Sequence, residues 1–159
     1  MNDKPPTDET VLWQRRLASQ ANNRAWMLAE SSQRTPQEDE EMLQAAHAAM
    51  HFWKIVGNDT NRAHAALLVA HACALLGMGE SAARFLAQAQ PVLMTDTAAP
   101  WEVALAHAVT ANVAAANSDA TAHRQHYDLA HERVARLPDP EDRSILEATL
   151  AVVPRPQTL

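Results

Sequence analysis

Residues 75–89 read LLGMGESAARFLAQA, and the reading of this stretch decides the fold. Gly77 and Gly79 are two of only three glycines in the chain, the third being Gly57. Two glycines so close together frame a tight turn. Before them runs LLVAHACALL, residues 67–76, with no breaker inside it. After them Glu80 opens a segment in which Ala82, Leu86 and Ala89 recur four and three residues apart. That spacing keeps all three on one helical face. The stretch therefore reads as helix, tight turn, helix.

Working outward, the same grammar recurs. TPQE at 35–38 is a capping box: Thr35 can accept from a first-turn amide, Glu38 can reach back, and Pro36 sits where its missing N–H costs nothing. The second helix it opens carries Met42, Ala46, Met50, Trp53 and Val56 inward and ends at Gly57, a left-handed terminator. Thr7 or Asp8 caps a first helix running to about residue 33, with an inward stripe of Trp13, Leu17, Ala21, Ala25 and Leu28. Thr60 caps a third helix over 61–76, and the fourth, opened by Glu80, should stop or kink at Pro91. Residues 92–99 form a linker, Pro100 opens a fifth helix to about 116, and Asn117, Ser118 and Asp119 make a turn with an N-capping aspartate. A sixth helix reaches Leu137, and Asp139 caps a last one that starts at Pro140 and runs to about Val153. Short connections make antiparallel neighbours. The expected fold is all-α, with about seven helices as three antiparallel hairpins and a C-terminal capping helix. A single domain should span 7–153, between a frayed terminus at 1–6 and a tail at 154–159.

Composition agrees. The chain has 159 residues, enough for one sizeable core, and alanine makes up about a fifth of it. Few glycines and much alanine favour helix, and β-branched and aromatic residues are too sparse to build strands. The formal net charge of −6 argues against nucleic-acid and anionic-membrane binding, both of which need a basic face. One cysteine, Cys73, cannot form an internal disulfide, and neither a signal core nor a membrane-spanning run is seen, so a cytoplasmic location is the expectation.

LLGMGESAARFLAQA resembles the turn and second helix of a tetratricopeptide repeat. Leu76 and Gly77 stand for the pair that ends the first helix, Glu80 and Ala82 for the start of the second, and Leu86 and Ala89 for the large and small positions that follow. A second copy matches at Asn117, Ala122, His126 and Leu129, with Asn117 in the glycine's place and His126 at a large apolar position. The two turns stand 40 residues apart, against a unit length of about 34 residues in the family. The resemblance covers the second half of the chain and implies a right-handed superhelix whose first helices line a concave groove. With Gly77 and Asn117 at equivalent positions, His64, Leu67, His71 and Ala74 from one helix and Ala104, His107, Ala111 and Ala114 from the other would line it. The expected ligand groove is therefore His64, Leu67, His71, His107 and Ala111, with three imidazoles able to donate, accept and stack. The lysine, asparagine and arginine with which the family clamps C-terminal carboxylates are missing from these positions.

Catalytic motifs are not found: no phosphate loop, dinucleotide fingerprint, nucleophile elbow or zinc-protease helix. Eight histidines are the anomaly. His47 and His51, four apart, can face one way and form two ligands of a metal site, and His123, His126 and His131 form a second group beside Tyr127. The expectation is a non-enzymatic module that binds a protein or peptide in a helical groove, with no cofactor and with homo-oligomerisation open. The alternative is a helical protein that binds a metal or small ligand through its histidines. Trp13 and Trp53 are expected in the core, while Trp26 falls off its helix's stripe and is a candidate interface anchor.

Overall fold

The computed structural model describes residues 7–157, and its regular elements are seven helices. They are α1 (Asp8–Ala29), α2 (Pro36–Val56), α3 (Asp59–Leu75), α4 (Gly79–Leu93), α5 (Pro100–Ala116), α6 (Ala120–Ala135) and α7 (Pro140–Val152). Among the described residues there is no strand, and no helix is long and apolar enough to cross a membrane. The expected fraying of 1–6 lies outside the described residues.

The caps account for most boundaries. Thr7 caps α1 through the Thr10 amide. At α2 the Thr35 hydroxyl accepts from the Glu38 amide at 3.2 Å, and the Glu38 carboxylate accepts from the Thr35 amide at 2.8 Å. Asp139 accepts from the Glu141 amide at 2.8 Å to start α7. At α3 the cap is Asn58 rather than Thr60: Asn58 and Asn61 exchange side-chain-to-backbone bonds of 2.8 and 3.1 Å, an amide version of the capping box, and the helix starts at Asp59. Gly57 ends α2 in an extended conformation (φ −91°, ψ 164°), not a left-handed one. What it supplies is space, since a Cβ there would lie 2.5 Å from the Trp53 carbonyl oxygen and 2.8 Å from Asn61 Cβ. Gly77 is the left-handed terminator, with φ 72°, and the Met78 amide closes back on the Cys73 carbonyl at 2.9 Å. Helix α4 runs through Pro91 to Leu93. Pro91 and Ala87 are both exposed, so the carbonyl that proline leaves without a helical donor stays open to water and the helix survives its last turn.

Three antiparallel pairs, α1 with α2, α3 with α4 and α5 with α6, pack in sequence, and α7 lies on α5 and α6. Helices α3 and α5 touch each other and occupy the centre; α3 is buried from Ala65 through Ala74 and α5 from Ala104 through Ala114. Alanine dominates both, which lets backbones approach closely at little side-chain entropy cost. Leu67, Leu68, Leu93 and Met42 fill the remaining space.

Two apolar expectations for α1 fail. Trp13 is 54% exposed and Leu17 42% exposed. Ala25 and Leu28 of the expected stripe are buried, and Ala18 and Ala29 complete the buried face. Moving from Leu17 to Ala18 turns the face by about 100°, so in the first half of α1 the small Ala18 packs inward while Trp13 and Leu17 look out. At the other end the tail is held on α6: His123 Nε2 lies 2.7 Å from the Pro154 carbonyl oxygen, and the Arg124 guanidinium donates to the Gln157 carbonyl.

Candidate functional site

A cleft of about 490 Å³ opens between α1, α3, α5 and α7. Each wall follows from helix register. Asn22, Asn23 and Trp26 of α1 and Glu30, its C-cap, recur at spacings of one turn and line the cleft; on α7, Asp142, Ile145, Leu146 and Thr149 do the same. His64 and Asn61 of α3 and Trp101 and Leu105 of α5 line it between them, and Trp53 closes the end toward α2. Three of the four tryptophans thus meet in one cleft.

His64 is fixed on two sides. Its ring stacks on Trp101, with centroids 5.2 Å apart and planes 11° from parallel. Its Nε2 lies 2.7 Å from Glu102 Oε1, and since a carboxylate only accepts, the imidazole donates. Glu102 also accepts from the Ala99 amide at 2.9 Å, capping α5. Burial works against the Glu102 carboxylate, but the His64 and Ala99 donors outweigh it and hold its pKa below the ordinary value. At the C-cap of α1, burial pushes the Glu30 carboxyl up, with the Thr149 hydroxyl of α7 acting the other way.

Of the groove residues expected from sequence, the cleft contains His64 alone. Leu67, His71, Ala111 and His107 are buried between helices, so the three imidazoles go to three different places. The His71 ring packs 5.5 Å from that of Trp26, and its Nδ1 receives the Asn112 amide of α5 at 3.0 Å. Its Nε2 has no hydrogen-bond partner among the described residues. Burial drives its pKa down to about 4, with the Arg34 charge adding to the shift. His107 Nδ1 meets His126 Nδ1 of α6 at 2.8 Å, and burial first, then the His126 and Arg133 charges, lower its pKa to about 4 as well.

For His107 and Ala111 of α5 the cause is a register slip of one residue. The residue in Gly77's conformation on the α5–α6 turn is Ser118 (φ 60°), not Asn117. The Asp119 amide bonds the Ala114 carbonyl just as Met78 bonds Cys73. In this register Leu105 is the counterpart of His64, and both line the cleft; Asn112 is the counterpart of His71, and the two bond each other. Asn117 does another job: its side-chain amide donates to the Gly79 and Val113 carbonyls, each at 2.9 Å, tying two adjacent turns together.

The alternative pair is placed separately. His47 packs edge-on against Phe85 of α4 with centroids 5.5 Å apart, and His51 is exposed beside Phe52. Burial lowers the His47 pKa. Among the described residues no three His, Cys, Asp or Glu side chains gather in a way that could hold a metal ion. His123 is committed to the C-terminal tail, and Tyr127 stands between it and His131. Cys73 is buried, and burial raises its thiol pKa.

Sequence reasoning missed Trp53, Trp101, Glu30 and Asp142. The usable signal was Trp26, which fell off the α1 stripe, together with Trp101, one turn before Leu105 on α5. Compared with family models, curated proteins and solved structures, the chain matches none of them. The geometry itself defines a class: an all-helical protein with one aromatic, polar-edged cleft between its odd-numbered helices.

Proposed function

We propose that this chain is a non-catalytic binding module, that the second half of its three-hairpin, right-handed superhelix carries degenerate tetratricopeptide-like units, and that its cleft seats a segment of a partner protein or peptide. One observation carries the reading: Trp26, Trp53 and Trp101 come together in a cleft that also presents Asn22, Asn23, Asn61 and Ser19. Tryptophan is the residue most enriched among binding hot spots, where a large flat surface and one N–H donor serve a partner at low entropy cost. The volume of about 490 Å³ lies within the ordinary range of ligand sites. The net charge of −6 supports a partner that is neither nucleic acid nor anionic membrane, and a lone buried cysteine suits the cytoplasm.

The test is affinity capture from native lysate with wild-type protein and two single variants. Ile145→Arg places a long cation in the cleft; Met27→Arg places one on an exposed face outside it, both positions being more than half exposed. A partner kept by wild type and Met27→Arg but lost by Ile145→Arg supports the cleft as the binding surface. A partner kept by all three overturns it.

A further inference from the structure

We infer that the occupant of the cleft is a lysine side chain of the partner segment, its ammonium held over the tryptophan faces and against the Glu30 and Asp142 carboxylates. The inference rests on the peptide-binding reading above and adds the chemistry that would select the peptide. The first argument is charge complementarity. Among the described residues the cleft is lined by two carboxylates and by no lysine or arginine. Arginines nearby in the chain are already engaged: Arg24 forms a two-bond pair with Glu41 at 2.6 and 2.8 Å, and Arg34 pairs with Asp39 while donating to the Leu28, Ala29 and Ser31 carbonyls. Among the described residues Glu30 therefore stands in the cleft wall without a cation. Its carboxyl is destabilised as an anion by burial, a cost that an incoming ammonium would relieve.

The second argument is the aromatic lining. Indole is the best ring for a cation, which it attracts through its face within about 6 Å. Trp101 stacks one face on His64 and is still 37% exposed, which leaves part of its indole open to a ligand. Leu105, Leu146 and Ile145 offer apolar surface along which four methylenes can lie while the charged head reaches the carboxylates. A glutamate or aspartate in the same place would meet two like charges, so the cleft discriminates by repulsion as well as attraction.

The experiment uses the full chain and four pools of nonapeptides, random except for a central lysine, Nε-trimethyllysine, norleucine or glutamate. Norleucine keeps the length of lysine without its charge. Retention of the pools on immobilised protein is measured for wild type, Glu30→Gln and Asp142→Asn. Both substitutions are close in shape and remove one charge each. The expected result is retention of the lysine pool about tenfold above norleucine, with glutamate lowest, and a fall of that preference in both variants while norleucine retention is unchanged. Trimethyllysine retained as well as or better than lysine would support cation–π attraction as the main force. Equal retention of lysine and norleucine overturns the cation inference and leaves the peptide groove standing. If no pool is retained but tetramethylammonium chloride quenches tryptophan fluorescence saturably, the lysine inference falls together with the peptide reading, and a small cationic ligand replaces both. Silence from every probe overturns both.

Discussion

Acidification should destabilise this protein well before its carboxylates protonate, and His71 supplies a defined part of the loss. The imidazole is fully buried. It faces Trp26 of α1, Asn112 of α5 and the positive Arg34 in the α1–α2 connection, and none of these groups can compensate an added proton. Its folded pKa of about 4 lies below the ordinary 6.5 that the unfolded chain should show. The folded state thus prefers neutral His71: the contribution is whole above about pH 6.5 and drains away as pH falls toward 4. The gap corresponds to about 3 kcal/mol in total, of which about 2 kcal/mol is lost by pH 5. Urea melts at pH 7 and pH 5 on wild type and His71→Gln isolate the effect, because glutamine keeps a polar group that does not titrate. The wild type should lose about 2 kcal/mol more than the variant over that interval. His107, whose pKa is also lowered to about 4, is present in both proteins and cancels in the comparison. Equal losses would mean that His71 is hydrated or paired in solution, and the account of its burial would fall.

Gly79→Ala should cost about 1–3 kcal/mol despite alanine's better helix propensity, because a Cβ there would lie 2.8 Å from the Ala116 carbonyl oxygen and 2.7 Å from Asn117 Oδ1; an unchanged urea midpoint would show that the two turns do not touch. Ala82→Leu, at a fully buried site on α4, should destabilise by about 1–3 kcal/mol through overpacking in the same assay. Asp139→Ala removes the bond to the Glu141 amide and should weaken α7 by about 1 kcal/mol, seen as faster amide exchange over 141–152. Unaltered exchange there would refute the cap.

Helix boundaries were legible because the determinants are local. Thr35, Pro36 and Glu38 announce α2 within four residues, Asp139 and Pro140 announce α7, and Gly77 ends α3 by the only backbone conformation that fits. Thr60 was misread for the same reason that Thr35 was not: a hydroxyl at the right distance from a helix is a cap only if no better acceptor precedes it, and Asn58 with Asn61 forms a reciprocal pair. Pro91 was overread because the cost of a proline depends on whether the carbonyl it orphans is buried, which sequence does not state.

The site was harder to read, for two distinct physical reasons. The first is angular. A one-residue error in equating Asn117 with Gly77 rotates α5 by about 100°, enough to bring His107 into the expected groove and take Leu105 out. Asn and Ser both stand in that turn, and either can carry the left-handed position; only the Asp119–Ala114 bond decides between them. The second reason is long-range assembly. Glu30 caps the end of the first helix and Asp142 belongs to the last, so no window of sequence contains both. What a window does contain is a contradiction: Trp26 breaks the apolar period of α1, and Trp101 sits in the first turn of α5, where a partly exposed indole gains little from folding. A large aromatic residue outside the stripe its own helix buries must be covered by something else. Trp26 and Trp101 meet that requirement together in one cleft, where Trp53 from the α2 stripe joins them, which is why off-period tryptophans, rather than the more numerous histidines, were the better guide to the candidate cleft.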